Sequence, residues 1–373
     1  MTTVSSNLLK SLIEHSLHSL WEDPQACAQM PALMIWGAPG VGKSSVILDV
    51  ACKHDIPVID VRLAQREPVD MRGLPVPGED SVRWLISDEW PRDPDSRGII
   101  FFDELTAADR TLQAAAYELI LDRKLGADYN VPKGWLIVAA GNRSTDRAVA
   151  YSMSSALSNR FCHVTLEAKL DSWVQWGHSN GMHPDVLGFL RFRPELLFKM
   201  EGATEQGWPS PRSWHRVSTM ISSLEDKGMN DSPLIDVTVA GLVGPAAALE
   251  FKAFRKYTGC GDVARKALLE NHQVRFPDRA DERYAYTSAL LYHLLQKEEA
   301  ILTLWPRFLQ IIDHMSPDFG TLAITDAIAS APGHLAEEML LDPKYLAWSA
   351  KTDLVMGASE GTMDFNISPA CAA

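Results

Sequence analysis

The stretch Gly37-Ala38-Pro39-Gly40-Val41-Gly42-Lys43-Ser44 constrains this chain more than any other. It fits the pattern G-x-x-x-x-G-K-[ST]. It follows the apolar run "ALMIW" (32–36) and opens the helical pattern "KSSVILDVACKH" (43–54). A loop of this kind needs a strand before it and a helix after it. Its glycines let backbone N–H groups curl around phosphate oxygens, and the helix N-terminus adds partial positive charge. Lys43 is then placed to reach the outer phosphates of a nucleotide and Ser44 to ligate Mg²⁺, with Ser45 completing the loop at the helix start. The rival reading is a glycine-rich turn that binds nothing, and the flanking strand and helix count against it.

The surrounding sequence supplies a fold for such a loop. "IPVIDV" (56–61), "GIIFF" (98–102), "WLIVAA" (135–140) and "FCHVTL" (161–166) read as buried strands beside "ALMIW". Helical patterns alternate with them, among them "ADRTLQAAAYELILDRK" (108–124), whose Leu112, Ala115, Ala116, Leu119 and Ile120 share a face. Fully apolar strands alternating with helices imply an α/β fold with a parallel sheet covered by helices on both faces. Two segments interrupt the alternation: a Pro-, Gly- and charge-rich insertion at 64–97, and a small turn or hairpin at 124–135. The expected organisation is an N-terminal helical segment (1–30), the α/β nucleotide-binding domain (31–167), an all-α lid (168–225), a C-terminal helical region (226–350) and a loosely held tail (351–373).

Four further stretches carry chemistry. "GIIFFDEL" ends an apolar strand in Asp103 and Glu104. Asp103 at a strand's carboxyl edge suits Mg²⁺ held through water, and Glu104 suits orienting and deprotonating a water. An acidic pair capping the next helix is the alternative. "WLIVAAGNR" ends the next strand in Asn142, placed to face a γ-phosphate, although Asn is also common in plain turns. Arg160 in "SSALSNRFCHV" follows a short helix, where a C-cap role competes with a functional one. Arg212 in "SPRSWHR" stands at a helix start, with Ser210 as cap and Pro211 at the first helical position; there a plain surface arginine is the competing reading.

Together these stretches resemble an AAA+ ATPase of the P-loop class. "EPVDMRGLP", "DELTAADRTLQAAAYELILDRKLG" and "WLIVAAGNRSTDRA" are similar to the MoxR-type branch, and the likeness spans about residues 30–225. The resemblance implies ATP and Mg²⁺ as cofactors, with Asn142 as sensor 1 and Arg212 as sensor 2. It implies Arg160 as an arginine finger acting on a neighbouring subunit's nucleotide, with Arg143 and Arg147 as rivals. The 64–97 insertion matches the extra hairpin in helix 2, and the 124–134 turn the hairpin before sensor 1; in the family both lie at or near a central pore. It implies a homo-oligomer, a hexameric ring, acting on a protein substrate or on a separate von Willebrand factor A domain partner, because this chain lacks the D-x-S-x-S motif. An arginine supplied in trans is worth roughly 10³–10⁵ in rate, or about 4–7 kcal/mol.

Composition narrows the partner. Of 373 residues, 46% are hydrophobic and 22% charged, the balance of a globular chain. A formal charge of −13 gives no global attraction to nucleic acid, so a nucleic-acid-linked motor of a restriction or phage-defence system is the second reading, supported only by arginines in 62–97 and in "RFRP" (191–194). Five scattered cysteines without a CxxC pattern indicate neither zinc nor a disulfide framework and suit a reducing cytoplasm. The first 21 residues read as an amphipathic helix too polar for a signal peptide, and no run approaches membrane-spanning length. Trp173, Trp176, Trp208 and Trp214 cluster in the lid and are expected to pack in its core, a peptide-gripping surface being the sharper alternative.

Overall fold

Residues on alternate sides of five apolar strands decide the architecture. The computed structural model describes residues 2–25, 29–79, 82–146, 151–200, 207–230, 232–258, 260–273 and 275–351. The chain begins with β1 (Thr2–Val4), α1 (Ser6–Glu22), β2 (Ala32–Trp36), α2 (Lys43–Lys53) and β3 (Val58–Arg62). The 64–97 insertion holds the short helix α3 (Pro68–Arg72) and an antiparallel hairpin of β4 (Leu74–Pro77) and β5 (Val82–Leu85). There follow β6 (Arg97–Asp103), α4 (Arg110–Asp122), a second small hairpin of β7 (Lys124–Leu125) and β8 (Tyr129–Asn130), then β9 (Gly134–Gly141), α5 (Ser155–Ser158) and β10 (Phe161–Leu166).

Six strands form one parallel sheet in the order β1-β10-β2-β9-β6-β3. Leu33, Ile35, Ile99, Phe101, Leu136, Val138 and Ala140 face one side and pack with Leu9, Ile13 and Leu17 of α1 and Val46, Ile47 and Val50 of α2. Met34, Ile100, Phe102, Ile137 and Ala139 face the other and pack with Leu112, Ala116, Leu119 and Ile120 of α4. A parallel sheet buried on both faces needs near-continuous apolar strands, which is what the sequence carries. The expected α/β fold with a phosphate-loop strand and helix, followed by helices, is therefore present.

The amino end departs from the expected uninterrupted helix. Thr2, Thr3 and Val4 pair with Val164, Thr165 and Leu166 as an edge strand, and the helix starts only at Ser6 behind the Ser5 cap. Three β-branched residues are too few to show an alternating pattern. After β10 the chain is helical: α6 (Leu170–Ser179), α7 (Pro184–Phe192), α8 (Pro211–Glu225), α9 (Pro233–Val243) and α10 (Pro245–Thr258), then α11 (Cys260–Leu269), α12 (Ala280–Leu295), α13 (Ile301–Ile312), α14 (Pro317–Ser330), α15 (Gly333–Leu341) and α16 (Pro343–Lys351). The C-terminal helical region begins with two helices, α9 and α10, separated where Gly244 adopts φ 83° before Pro245.

The chain divides into two compact units, Met1–Gly177 with Phe189–Lys256, and His178–Gly188 with Tyr257–Ala373. The second has its own core, in which Leu290, Leu294, Trp305, Phe308, Ala323, Ala327 and Met339 are buried. Among the described residues no helix is long and apolar enough to cross a membrane.

In the first unit α8 is anchored by Trp214, which is fully buried, packs on Phe189 and Phe251, and donates its indole N–H to the Leu196 carbonyl at 2.7 Å. Removing that ring leaves a cavity and an orphaned carbonyl. Trp214→Ala is expected to destabilise the protein by about 3–5 kcal/mol, read as a lowered urea midpoint; an unchanged midpoint would show that α8 is held by other contacts.

Candidate functional site

Strand register delivers the site residues to one edge. Trp36 at the end of β2 pairs with Gly141 at the end of β9, and Phe102 of β6 pairs with Ala139. The phosphate loop, the Asp103–Glu104 pair and Asn142 therefore leave three adjacent strands at their carboxyl ends, the edge where open α/β sheets bind ligands.

The loop turns tightly because Gly40 and Gly42 adopt φ 84° and φ 103°, a region most side chains avoid. Gly42 is the N-cap of α2 and gives no side-chain cap, so the first N–H groups of that helix keep the donor capacity an anion would use. Lys43 folds over the loop. Its Nζ donates to the carbonyls of Gly37 (2.5 Å) and Ala38 (3.2 Å) and to Asn142 Oδ1 (3.0 Å). Burial lowers its pKa to about 8; Asp103, Asp146 and Glu104 oppose that shift, and Arg212 adds to it.

Ser44 Oγ donates to Asp103 Oδ2 at 2.9 Å. A hydroxyl and a carboxylate side by side are the hard oxygen ligands that Mg²⁺ takes, so the residues present fit that ion. Glu104 has left-handed backbone angles (φ 55°, ψ 32°), unusual for a glutamate, and its N–H donates to Asp103 Oδ1 at 2.9 Å. Its carboxylate is exposed beside the loop. One small pocket is lined by Pro39, Gly40, Gly42, Lys43, Ser44, Asp103, Glu104, Gly141, Asn142 and Arg212. Arg212 arrives from α8: its backbone N–H donates to the Gly40 carbonyl at 3.2 Å, and Ser210 Oγ lies 3.0 Å from where a Gly40 Cβ would stand.

Of the arginines expected to act between subunits, neither Arg143 nor Arg160 lines this pocket. Arg160 is exposed and does not line this pocket. The turn before it is fixed from behind, because Trp36 Nε1 donates to His163 Nδ1 (2.9 Å) and His163 Nε2 meets the Ser158 carbonyl (2.7 Å). The indole N–H requires an acceptor at Nδ1, so the proton belongs on Nε2. Arg143 is committed within its own chain: its guanidinium and backbone N–H bond buried Asp146 at 2.7–3.2 Å, which raises its pKa further. Arg147 lies outside the described residues.

A second cavity adjoins the loop and was not legible in the sequence. Gly40, Val41, Gly42, Ser44 and Ser45 line it together with Trp173, Trp176, Arg212 and His215, and Ser6 and Lys10 of α1 complete the wall. Of the four lid tryptophans expected in the core, only Trp214 is fully buried; Trp173 and Trp176 are half-buried and line this cavity. Trp176 meets the His215 ring edge-on at 5.2 Å. The signal available was an aromatic pair three residues apart, directly after the last strand.

No family model matches the chain, and no curated protein matches it. Solved structures are similar at a distance. NtrX from Brucella abortus in complex with ADP is 15% identical over 78% of this chain and 64% of its own, with a TM-score of 0.36. A mutant RuvB from Thermotoga maritima is 13% identical over 71% and 79%, with a TM-score of 0.34. Likenesses of this size leave function to be decided by the site.

The Lys43 geometry makes a pH prediction. A phosphate favours the charged ammonium, so binding raises a pKa that stands near 8 in the free protein. Above that pH, binding must take up a proton. ATP affinity is expected to be full below pH ~8 and to weaken by up to about tenfold per unit above it, with net proton uptake in calorimetry in buffers of different ionisation enthalpy. A flat profile from pH about 7 to about 9 would remove Lys43 from the phosphate contact.

Proposed function

We propose that this chain is an ATP-hydrolysing AAA+ motor of the MoxR type, working as a homo-oligomeric ring, a hexamer, that remodels or activates a separate protein, one carrying a von Willebrand factor A domain. The observation that carries the reading is the meeting of Lys43, the Ser44–Asp103 pair, Glu104, Asn142 and Arg212 at one pocket, drawn from three strand ends and a later helix.

The geometry supports the following division of labour. The α2 N-terminus and Lys43 bind the phosphates of ATP, and Lys43 exchanges its loop carbonyls for phosphate oxygens. Ser44 and Asp103 would hold Mg²⁺, which when bound neutralises charge on the outer phosphates. Glu104 orients a water and accepts its proton at the carboxylate. Asn142, already bonded to the Lys43 ammonium, aligns the same phosphate. Arg212 reports on it from α8. The cavity containing Trp173, Trp176 and His215 takes the base, stacking it against an indole. Arg160 is exposed and outside its own chain's pocket, as a residue serving a neighbouring subunit would be, whereas Arg143 is already occupied by Asp146.

Glu104→Gln is expected to bind ATP with near-normal affinity and to lose turnover by roughly 10²–10⁴-fold, measured as phosphate release; normal turnover would overturn the assignment. Held in ATP and Mg²⁺, the same variant is the bait for partner capture with and without nuclease: a nuclease-resistant protein supports remodelling, and nucleic acid lost to nuclease supports the alternative motor. Arg160→Ala is expected to bind ATP without hydrolysing it, and mixing it with Lys43→Ala should restore part of the turnover. Absence of rescue would mean that Arg160 does not act across subunits.

A further inference from the structure

Thr106 stands two residues beyond Glu104, in a short 3₁₀ turn (Leu105–Ala107), and is 2% exposed. Its hydroxyl is engaged twice by one residue, Asn142, just past the end of β9. The Asn142 N–H donates to Thr106 Oγ1 at 3.0 Å, and Thr106 Oγ1 donates to the Asn142 carbonyl at 3.3 Å. This reciprocal pair fixes the Asn142 backbone, while the Asn142 side chain reaches the Lys43 ammonium at 3.0 Å. Thr106 also accepts at its own carbonyl from the Tyr151 N–H at 2.7 Å, at the start of the segment that leads to α5 and Arg160.

The packing leaves no slack. A Cβ at Gly141 would stand 2.8 Å from Thr106 Oγ1 and Cγ2 and 2.7 Å from the Met34 methyl. Glycine at 141 is what lets Thr106 approach the end of β9 closely enough to bond the next residue. A buried hydroxyl needing partners could bond any nearby backbone group. Here both of its bonds fall on the residue whose side chain holds the phosphate-loop lysine.

We propose that Thr106 is a positioning residue that ties the acidic turn bearing Glu104 to Asn142, and so fixes the distance between the group that activates water and the groups that hold the phosphate. This rests on the ATPase reading above. Thr106 does not line the pocket that holds Lys43 and Glu104; it acts through the main chain of Asn142. Misplacement of reacting groups by about an ångström costs on the order of 10²-fold in rate, so its loss should appear in turnover before binding.

Thr106→Val keeps the shape and removes the hydroxyl, and Thr106→Ser keeps the hydroxyl. Steady-state ATP hydrolysis is expected to show kcat reduced about tenfold or more in Thr106→Val with KM within about twofold, and near-normal values in Thr106→Ser. Asn142→Ala keeps the main-chain N–H and carbonyl that Thr106 bonds, so the Val substitution should still lower kcat in that background, because the hydroxyl still ties the turn bearing Glu104 to residue 142. If Thr106→Val does not fold, Thr106→Ala and Thr106→Ser, which differ only by the hydroxyl, carry the same comparison. Wild-type turnover in the variant lacking the hydroxyl, or a loss in Thr106→Ser equal to that in Thr106→Val, would overturn the proposal while leaving the ATPase reading intact. Failure of the wild-type protein to hydrolyse ATP would overturn the ATPase reading and this one with it.

Discussion

An ammonium group held against two carbonyls of its own loop and one amide oxygen of a neighbouring strand is the interaction on which this site turns. Lys43 needs β2 to present the loop, β9 to present Asn142, and a hydrogen-bonded register that brings the two ends level. It is buried enough to lose part of its affinity for a proton, and three carboxylates offset only part of that cost. A lysine so placed is satisfied by oxygen and improved by more of it. The protein thus satisfies the Lys43 ammonium with three oxygens of its own.

The sheet exists to keep that edge in register. Both its faces are covered, by α1 and α2 on one side and α4 on the other, so no strand can slip by one residue without turning an apolar set toward the wrong core. The same requirement made the fold legible. β2 and β10 run over the residues their apolar patterns mark, and α2 begins at Lys43 as the loop motif demands. Lys43, Ser44, Asp103, Glu104 and Asn142 were readable because each stands where a fully apolar strand or a glycine loop abruptly becomes polar.

What escaped the sequence has physical reasons too. β1 is too short to show a period and owes its strand state to the free edge of β10. Trp173 and Trp176 have the composition of core residues; only the position of α6 beside the loop makes them cavity wall. Thr106 is a common residue in a common turn, and its importance lies in pairing across 36 positions of sequence with Asn142. The Arg143–Asp146 clamp was equally invisible, since an arginine three residues before an aspartate is ordinary until Asp146 is seen to be buried. Local pattern reveals what a strand or loop must be; it does not reveal which polar groups meet when strands are laid side by side.

The bond from the Arg212 N–H to the Gly40 carbonyl has a mechanical meaning. It joins the phosphate loop to the first turn of α8, a helix of 15 residues and so about 22 Å long. Ser210 Oγ stands 3.0 Å from where a Gly40 Cβ would be, so the start of α8 lies close beside the loop. A rod driven at one end amplifies what it is given: a tilt of about 10° at Gly40 carries the far end of such a helix through roughly 4 Å. The loop and α8 are in this sense a short crank and a long arm, and the arm's length multiplies whatever tilt the loop imparts.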